Sequence, residues 1–402
     1  MKTSLYFSRP GVACAAGCDT ETLWQSCVSG SQAGIKTVKA VSGKEFYAGK
    51  IEDSLLRSVP SAKYDMRIIR ILNLAVEQIK PVVENAKLKS GAARIGVFLG
   101  CCDNGSEFTV AGHKTYFETG AFPEGYELEV QSADYPATFV KEALGIEGPA
   151  FVFATACSSG ASAVCKAREA LEADIVDAAV VGGVDVASDT VLLGFDSLEA
   201  VSDEKTNPFS KNRKGITLGE GAALFVLSKD KELVSDSGVS VILCGTGESA
   251  DASHMTAPLE DGSGARRAIE SALKDAGFSA EEIDYINLHG TGTHLNDAME
   301  SRAVDAVFGG TKNRVWASST KPLMGHTLGA SGALELAVCY EVLVHSAEKK
   351  LPVQVWDGVR DDEIPALNFV SRDTVLENEI KTAMSNSFGF GGCNISLIIK
   401  KV

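Results

Sequence analysis

The chain repeats itself, and that repeat limits what it can fold into more than any other feature. Cys157-Ser-Ser-Gly160-Ala161-Ser162 lines up with His326-Thr-Leu-Gly329-Ala330-Ser331, 169 residues later. A second, unrelated pair agrees to within one residue, because the tract opened by Gly219-Glu-Gly221 has its counterpart in the tract opened by Gly389-Phe-Gly391, at an offset of 170. Such a chain folds as two related halves. A cysteine and a histidine at matching points predict one active site built from both, with a thiolate nucleophile and an imidazole.

With 402 residues, 45% of them hydrophobic, the chain can bury a large core, as two domains or two fused halves. Charged residues make up 23%, and no like-charge run or low-complexity tract marks a tail or linker. The ten cysteines are scattered; Cys101-Cys102 is the only adjacent pair, and no Cys-x-x-Cys offers metal-ligand spacing. Gly11-Val-Ala-Cys14 faintly resembles a lipoprotein cleavage site, but Arg9 and Pro10 interrupt the apolar stretch it would need. No stretch approaches the ~20 apolar residues that cross a bilayer. These features predict a cytoplasmic protein with reduced thiols and no membrane partner. A net charge of −15 argues against nucleic acid as a partner, since phosphate binding needs a basic face.

Apolar runs at 94–100, 149–154, 176–182 and 222–227 read as strands of the first half. Those at 239–245, 283–289, 314–317 and 394–399 read as strands of the second. Helical periodicity occupies 65–80, 159–172, 263–276, 297–308 and 328–345. The expected architecture is α/β, with two sheets packed through shared helices in five layers. The junction falls near 230–238, giving a half at 1–233 that carries Cys157 and a half at 234–402 that carries His289 and His326. Segment 101–148 has no clear period, and insertions of this kind often hold caps or subunit contacts.

Cys157 lies between the strand ending near 154–155 and an Ala-rich helix beginning at Ser158 or Ser159. Unpaired N–H groups and the helix dipole stabilise a thiolate there, which predicts a thiol reactive near neutral pH. A small buried thiol is the commoner fate of a free cysteine, and it suffices for Cys165, Cys244 and Cys339. His289 closes a strand and precedes Gly290-Thr291-Gly292-Thr293. His326 follows Lys321-Pro-Leu-Met-Gly325 and opens a helix over 327–344.

Five ordered motifs now carry a resemblance. They are Thr155-Ala-Cys157-Ser-Ser-Gly160; Asn207-Pro-Phe209 through Gly219-Glu-Gly221; Asn287-Leu-His289-Gly-Thr-Gly-Thr293 with Asp297 and Glu300; Lys321 through His326-Thr-Leu-Gly-Ala-Ser-Gly332 with Glu335; and Asn386-Ser-Phe388-Gly-Phe390-Gly-Gly392. The chain resembles an elongating (type I/II) β-ketoacyl-acyl carrier protein synthase of the thiolase-like superfamily. That resemblance implies a duplicated fold layered α-β-α-β-α with two mixed sheets. It also implies a decarboxylative Claisen condensation of an acyl thioester with malonyl-acyl carrier protein, in fatty acid elongation.

In that reading Cys157 takes the acyl chain, and His289 and His326 promote loss of CO₂ and steady the enolate oxygen through ring N–H groups. Backbone N–H groups of Cys157 and Phe390 form the oxyanion hole. Lys321 and Glu335 form a buried ion pair that orients His326. Thr291 and Thr293 bond the pantetheine arm, while Phe388 and Phe390 line the substrate site and Phe390 gates the acyl pocket. No metal and no organic cofactor is implied, because phosphopantetheine arrives on the carrier protein; Asp297 and Glu300 are the candidates for a structural cation. Carrier proteins are acidic, so docking needs positive charge. Lys63, Arg67 and Arg70 fall on one helical face, and Lys205, Lys211, Arg213 and Lys214 form a second cluster.

Where the family commonly has Arg before Pro-Phe, this chain has Asn207. Its start, Met1-Lys-Thr-Ser-Leu-Tyr-Phe, lacks the usual glycine-rich opening strand, and Cys393 stands where Thr is usual. A thiolase would need a second catalytic cysteine ahead of the C-terminal glycines, and an initiating (type III) synthase would have Asn at His326. Three readings stay open: fatty acid elongation, a ketosynthase of a specialised polyketide or polyene pathway, and a non-catalytic chain-length partner, which intact Cys157, His289 and His326 argue against. A homodimer is expected, with a heterodimer as the alternative.

Overall fold

Runs of Val, Ile, Ala and Phe too short for helices and flanked by glycine form buried strands, and the amphipathic stretches between them form helices that cover the strands. A computed structural model describes residues 4–234, 238–311 and 315–402. Arg314, which opens the strand expected at 314–317, and residues 235–237 of the expected junction lie outside the described residues.

In the first half Ile95–Gly100 runs parallel to both Ala150–Phe153 and Ala178–Asp185, and the latter is antiparallel to Gly221–Ser228. The second half repeats this pattern. Tyr285–Asn287 runs parallel to Trp316–Ser318 and Thr382–Gly389, and the latter is antiparallel to Cys393–Lys401, which pairs in turn with Val241–Ala250. Leu5–Phe7 pairs antiparallel with both Gly221–Ser228 and Val241–Ala250 and joins the halves edge to edge. The two mixed sheets thus share one hydrogen-bonded path through this strand while forming two layers.

Alternation along the strands builds the layers. Phe98 faces inward while Val97 and Leu99 face the helices Arg67–Ser90 and Tyr135–Leu144. Leu397 and Ile399 face inward while Ile398 faces the helices Ser263–Ala276 and His294–Phe308. Between the inward faces lie the helices Ser159–Glu172 and Ser331–Val344, which contribute Val164, Leu171, Leu334 and Val338. The result is the five-layered α-β-α-β-α arrangement.

Those two central helices correct the register of the repeat. Each has 14 residues, and Ser331 stands 172 residues after Ser159. The strands agree: Gly221 pairs with Asp185 and its counterpart Cys393 pairs with Gly389, again 172 apart. Cys157 therefore matches Gly329, and His326 sits three residues earlier. The contact between the helices confirms the register. A Cβ on Gly160 would lie 2.8 Å from Ala333 N, and one on Gly332 would lie 2.8 Å from Ala161 N. Each helix follows a turn opened by a strained residue, Ala156 (φ 51°) in one half and Leu328 (φ 51°) in the other. The helix expected over 327–344 accordingly begins only at Ser331.

Segment 101–148 is more regular than its sequence implies, holding the helices Ser106–Thr119 and Tyr135–Leu144. Its first helix buries little beyond Gly112, which is why no amphipathic period is visible.

Candidate active site

The glycine contact brings the N-terminal ends of both central helices together, and the catalytic candidates collect there. One ligand atom each from Cys157, His289 and His326 lies within 4.8 Å of the others, and all three residues are buried. The imidazoles meet edge to face, with ring centroids 5.2 Å apart. His289 follows the strand Tyr285–Asn287 by two residues rather than closing it.

Side-chain bonds hold the Cys157 turn. Ser159 Oγ accepts from Thr155 N at 2.9 Å and donates to Ala156 O at 2.6 Å, and Ser158 Oγ donates to Thr155 O at 2.7 Å. The expected thiolate at neutral pH is not what this environment favours. Burial pushes the thiol up to about 11, against the smaller opposing effects of the Lys321 charge and the Phe390 N–H that donates to the sulfur. Desolvation wins because Cys157 lies in the turn ahead of the helix, where the dipole is weaker and water is excluded.

The histidines are fixed as neutral donors. Burial, then the Lys321 charge, holds both well below the usual histidine range. Leu328 N donates to His326 Nδ1 at 3.2 Å, so the His326 proton resides on Nε2. Lys321 Nζ lies 3.3 Å from His289 Nδ1 and donates to His289 O and to Glu335 Oε1, which assigns the His289 proton to Nε2 as well. The Lys321–Glu335 pair therefore orients His289; His326 is held by its own turn. Glu335 also accepts from Ser331 Oγ at 3.1 Å, and its carboxyl is pushed up by burial.

Asp297 and Glu300, candidates for a cation site, accept backbone N–H groups, most of them from the loop after His289. Glu300 accepts from His289 N at 2.8 Å and Gly290 N at 2.7 Å, and Asp297 from Thr291 N at 3.1 Å and Phe209 N at 2.7 Å. Burial raises both carboxyls, Glu300 to about 8.

Two cavities meet at Cys157. The outer, about 320 Å³, is lined by both histidines, Thr291, Thr293, Phe388 and Lys214. Thr291 Oγ1 and Thr293 Oγ1 are 3.0 Å apart. The inner cavity, about 270 Å³, is lined by Cys102, Asp185, Thr190 and Val191. Phe390 borders both and stacks on Phe195 at 5.9 Å, so this aromatic pair is the wall between them. The Cys157 N–H has no hydrogen-bond partner among the described residues. Together with the Phe390 N–H it can receive an oxyanion. Phe195 and Asp185 were not singled out from the sequence; an acid ending the apolar run Ala178–Asp185 was the available signal.

The first basic cluster is not a free face. Lys63 pairs with Glu129 at 3.0 Å, Arg70 with Asp65 at 2.7 Å, and Arg67 with the fully buried Glu220 and with Asp53. In the second cluster Arg213 is buried against Asp361, Lys205 and Lys211 are exposed, and Lys214, exposed and paired with Glu204 at 2.8 Å, lines the outer cavity. All ten cysteines are free, and among the described residues no helix is long and apolar enough to cross a membrane.

Comparison with known proteins agrees with this geometry. The family descriptions "Beta-ketoacyl synthase, N-terminal domain" and "Beta-ketoacyl synthase, C-terminal domain" match residues 11–232 and 240–351. The 3-oxoacyl-[acyl-carrier-protein] synthase 2 of Vibrio cholerae is 31% identical over 98% of this chain and 97% of its own. Nodulation protein E of Rhizobium meliloti is 30% identical, over 98% of each chain. Among solved structures, a chain of the complex of the ketosynthase ApeO with its chain length factor ApeC from Xenorhabdus doucetiae superposes with a TM-score of 0.88 at 36% identity, covering 100% of this chain and 98% of that one. With the family matched across both halves, and with the thiol and two imidazoles gathered at their seam, the chain belongs to the β-ketoacyl synthase family of condensing acyltransferases.

Proposed function

We propose that this enzyme condenses an acyl group carried on Cys157 with malonyl-acyl carrier protein, giving 3-oxoacyl-acyl carrier protein in fatty acid elongation. One observation carries the reading: a thiol and two neutral imidazoles lie within 4.8 Å at the meeting point of two cavities. In the first step Cys157 sulfur bonds the acyl carbon, the pantetheine C–S bond breaks, and the thiol proton passes to the departing sulfur. In the second the malonyl C–C bond breaks, CO₂ leaves, and the enolate oxygen accepts N–H groups from His289 and His326. The enolate carbon then attacks the Cys157 thioester. The tetrahedral oxyanion rests on the Cys157 and Phe390 N–H groups, and collapse expels the Cys157 sulfur, which regains a proton.

Thiol and imidazoles carry these steps without a resident cofactor, the phosphopantetheine arm arriving through the outer cavity past Thr291 and Thr293. Lys214 lines that cavity and Lys205 and Lys211 are exposed on the same segment, which places them better than Lys63, Arg67 and Arg70 to receive an acidic carrier protein, although Lys214 is itself paired with Glu204 and Asp203. The strand Ala150–Phe153 is paired on one side only, with Phe151 half exposed, which supports a dimer through this edge in a cytoplasmic enzyme.

A second reading has its own support. The likeness to a chain of a complex between a ketosynthase and its chain length factor favours a specialised polyketide or polyene pathway and a heterodimer. Purified protein given malonyl-acyl carrier protein and acyl donors of graded length and unsaturation tests both. Fastest turnover of saturated donors by a homodimer supports elongation. Preference for unsaturated or oxo-bearing donors, or activity only beside a second subunit, supports the specialised pathway.

A further inference from the structure

The two halves present equivalent backbone N–H groups at two places, and at only one of them does a carboxyl group occupy both. Under the 172-residue register, the counterpart of the Cys157 N–H is the Gly329 N–H. Asp185 and Gly389 are equivalent strand ends, so the counterpart of the Phe390 N–H is the Val186 N–H. Both counterparts donate to one carboxylate: Gly329 N reaches Asp185 Oδ2 at 2.9 Å and Val186 N reaches Oδ1 at 3.0 Å. Cys102 N adds a third bond to Oδ2 at 3.1 Å. Asp185 is 1% exposed, and burial pushes its carboxyl up to about 7 against the opposing N–H bonds, so a built-in carboxyl group fills the mirror image of the oxyanion hole.

That carboxyl group anchors the turn that defines His326. Leu328 adopts a left-handed conformation (φ 51°) that is strained for a non-glycine residue, and such strain persists only where neighbours impose it. Gly329, the next residue, is pinned through its N–H to Asp185 and has no room to shift: a Cβ there would lie 2.9 Å from Asp185 Oδ2 and 3.0 Å from Cys101 Cα. The Leu328 N–H thereby stays on His326 Nδ1, which leaves the imidazole proton on Nε2.

We infer that Asp185 is a positioning residue for the condensation, reaching from the first half to hold the Leu328–Ala330 turn so that His326 presents an Nε2–H to the enolate oxygen. This rests on the proposed role of His326 toward malonyl-acyl carrier protein. Acylation of Cys157 uses the Cys157 and Phe390 N–H groups, to which Asp185 makes no hydrogen bond; because Asp185 also lines the inner cavity and its charge acts on the Cys157 thiol, the His326 tautomer is the readout specific to positioning.

The test is Asp185→Asn in the full-length protein, with three readouts: malonyl-acyl carrier protein decarboxylation, acyl loading of Cys157 by intact mass, and ¹⁵N NMR of the histidine rings. The expected result is a decarboxylation rate at least tenfold lower, a smaller change in loading, and growth of a His326 Nδ1–H signal. Loading and decarboxylation falling together, or an unchanged His326 spectrum, overturns the inference. Should the variant not fold, the wild-type spectrum decides, since a His326 protonated at Nδ1 contradicts it directly. Absence of decarboxylation in the wild type would instead defeat the proposed reaction and leave the geometry standing.

Discussion

Replacing Lys321 by Met separates what the buried ion pair does for stability from what it does for chemistry. Lys321 and Glu335 are each 1% exposed, and the ammonium is shared among Glu335, the His289 carbonyl and His289 Nδ1. Removing it strands a buried carboxylate, a loss of about 3–5 kcal/mol. Replacing both partners by apolar residues of similar size is close to neutral, so Lys321→Met with Glu335→Leu should recover most of that stability in urea titrations. Activity should not recover. Without a donor at Nδ1 the His289 proton is no longer confined to Nε2, and an enolate donor is lost, which costs about 10²–10³ in rate. Malonyl-acyl carrier protein decarboxylation by the stable double variant is the decisive assay. A rate within tenfold of wild type would refute the positioning argument and reduce the pair to a packing feature.

Three further outcomes follow from burial. With the Cys157 thiol near 11, its thiolate fraction at pH 7 is on the order of 10⁻⁴, so iodoacetamide labelling should quicken about tenfold per pH unit from 7 to 10, and a plateau below pH 8 would contradict this. Glu341 is buried with no hydrogen bond on either oxygen and only His345 Nε2, 3.3 Å from Oε2, as an ion-pair neighbour, and burial raises its carboxyl from 4.5 to about 8. The folded state then holds the proton more tightly than the unfolded one, so stability is fully present below 4.5 and is lost as pH rises through 8. Glu341→Gln should add about 1–3 kcal/mol at pH 9 and almost nothing at pH 5, whereas parallel pH profiles for variant and wild type would exclude the effect. Gly332→Ala forces a Cβ to within 2.8 Å of the Ala161 backbone and should destabilise by about 1–3 kcal/mol; an unchanged urea midpoint would mean the helices are not in this contact.

The layered fold was legible because each central strand is an uninterrupted apolar run, as at Ile95–Gly100 and Gly221–Ser228, where every residue is buried. Thr382–Gly389 escaped notice because Ser385, Asn386 and Ser387 interrupt its apolar pattern, although seven of its eight residues are buried. The repeat was visible but misregistered by three residues, since Gly329-Ala330 and Gly332-Ala333 offer the same Gly-Ala step and only the reciprocal contacts of Gly160 and Gly332 choose between them. Cys157, His289 and His326 were found through motifs, while the thiol's protonation was not, because helix proximity can be read from a sequence and desolvation cannot. Charge spacing on Arg67–Ser90 likewise showed a basic face but not Glu220, 153 residues away in the chain, which claims Arg67.

The central claim is that residues from both halves form one condensing site around Cys157. Intact-protein mass spectrometry after incubation with a panel of acyl-acyl carrier proteins tests it most directly. The account predicts an acyl mass on the wild type, none on Cys157→Ala, and discharge of the adduct when malonyl-acyl carrier protein is added. An adduct that survives Cys157→Ala, or a wild type that no donor loads even beside a partner subunit, would contradict it.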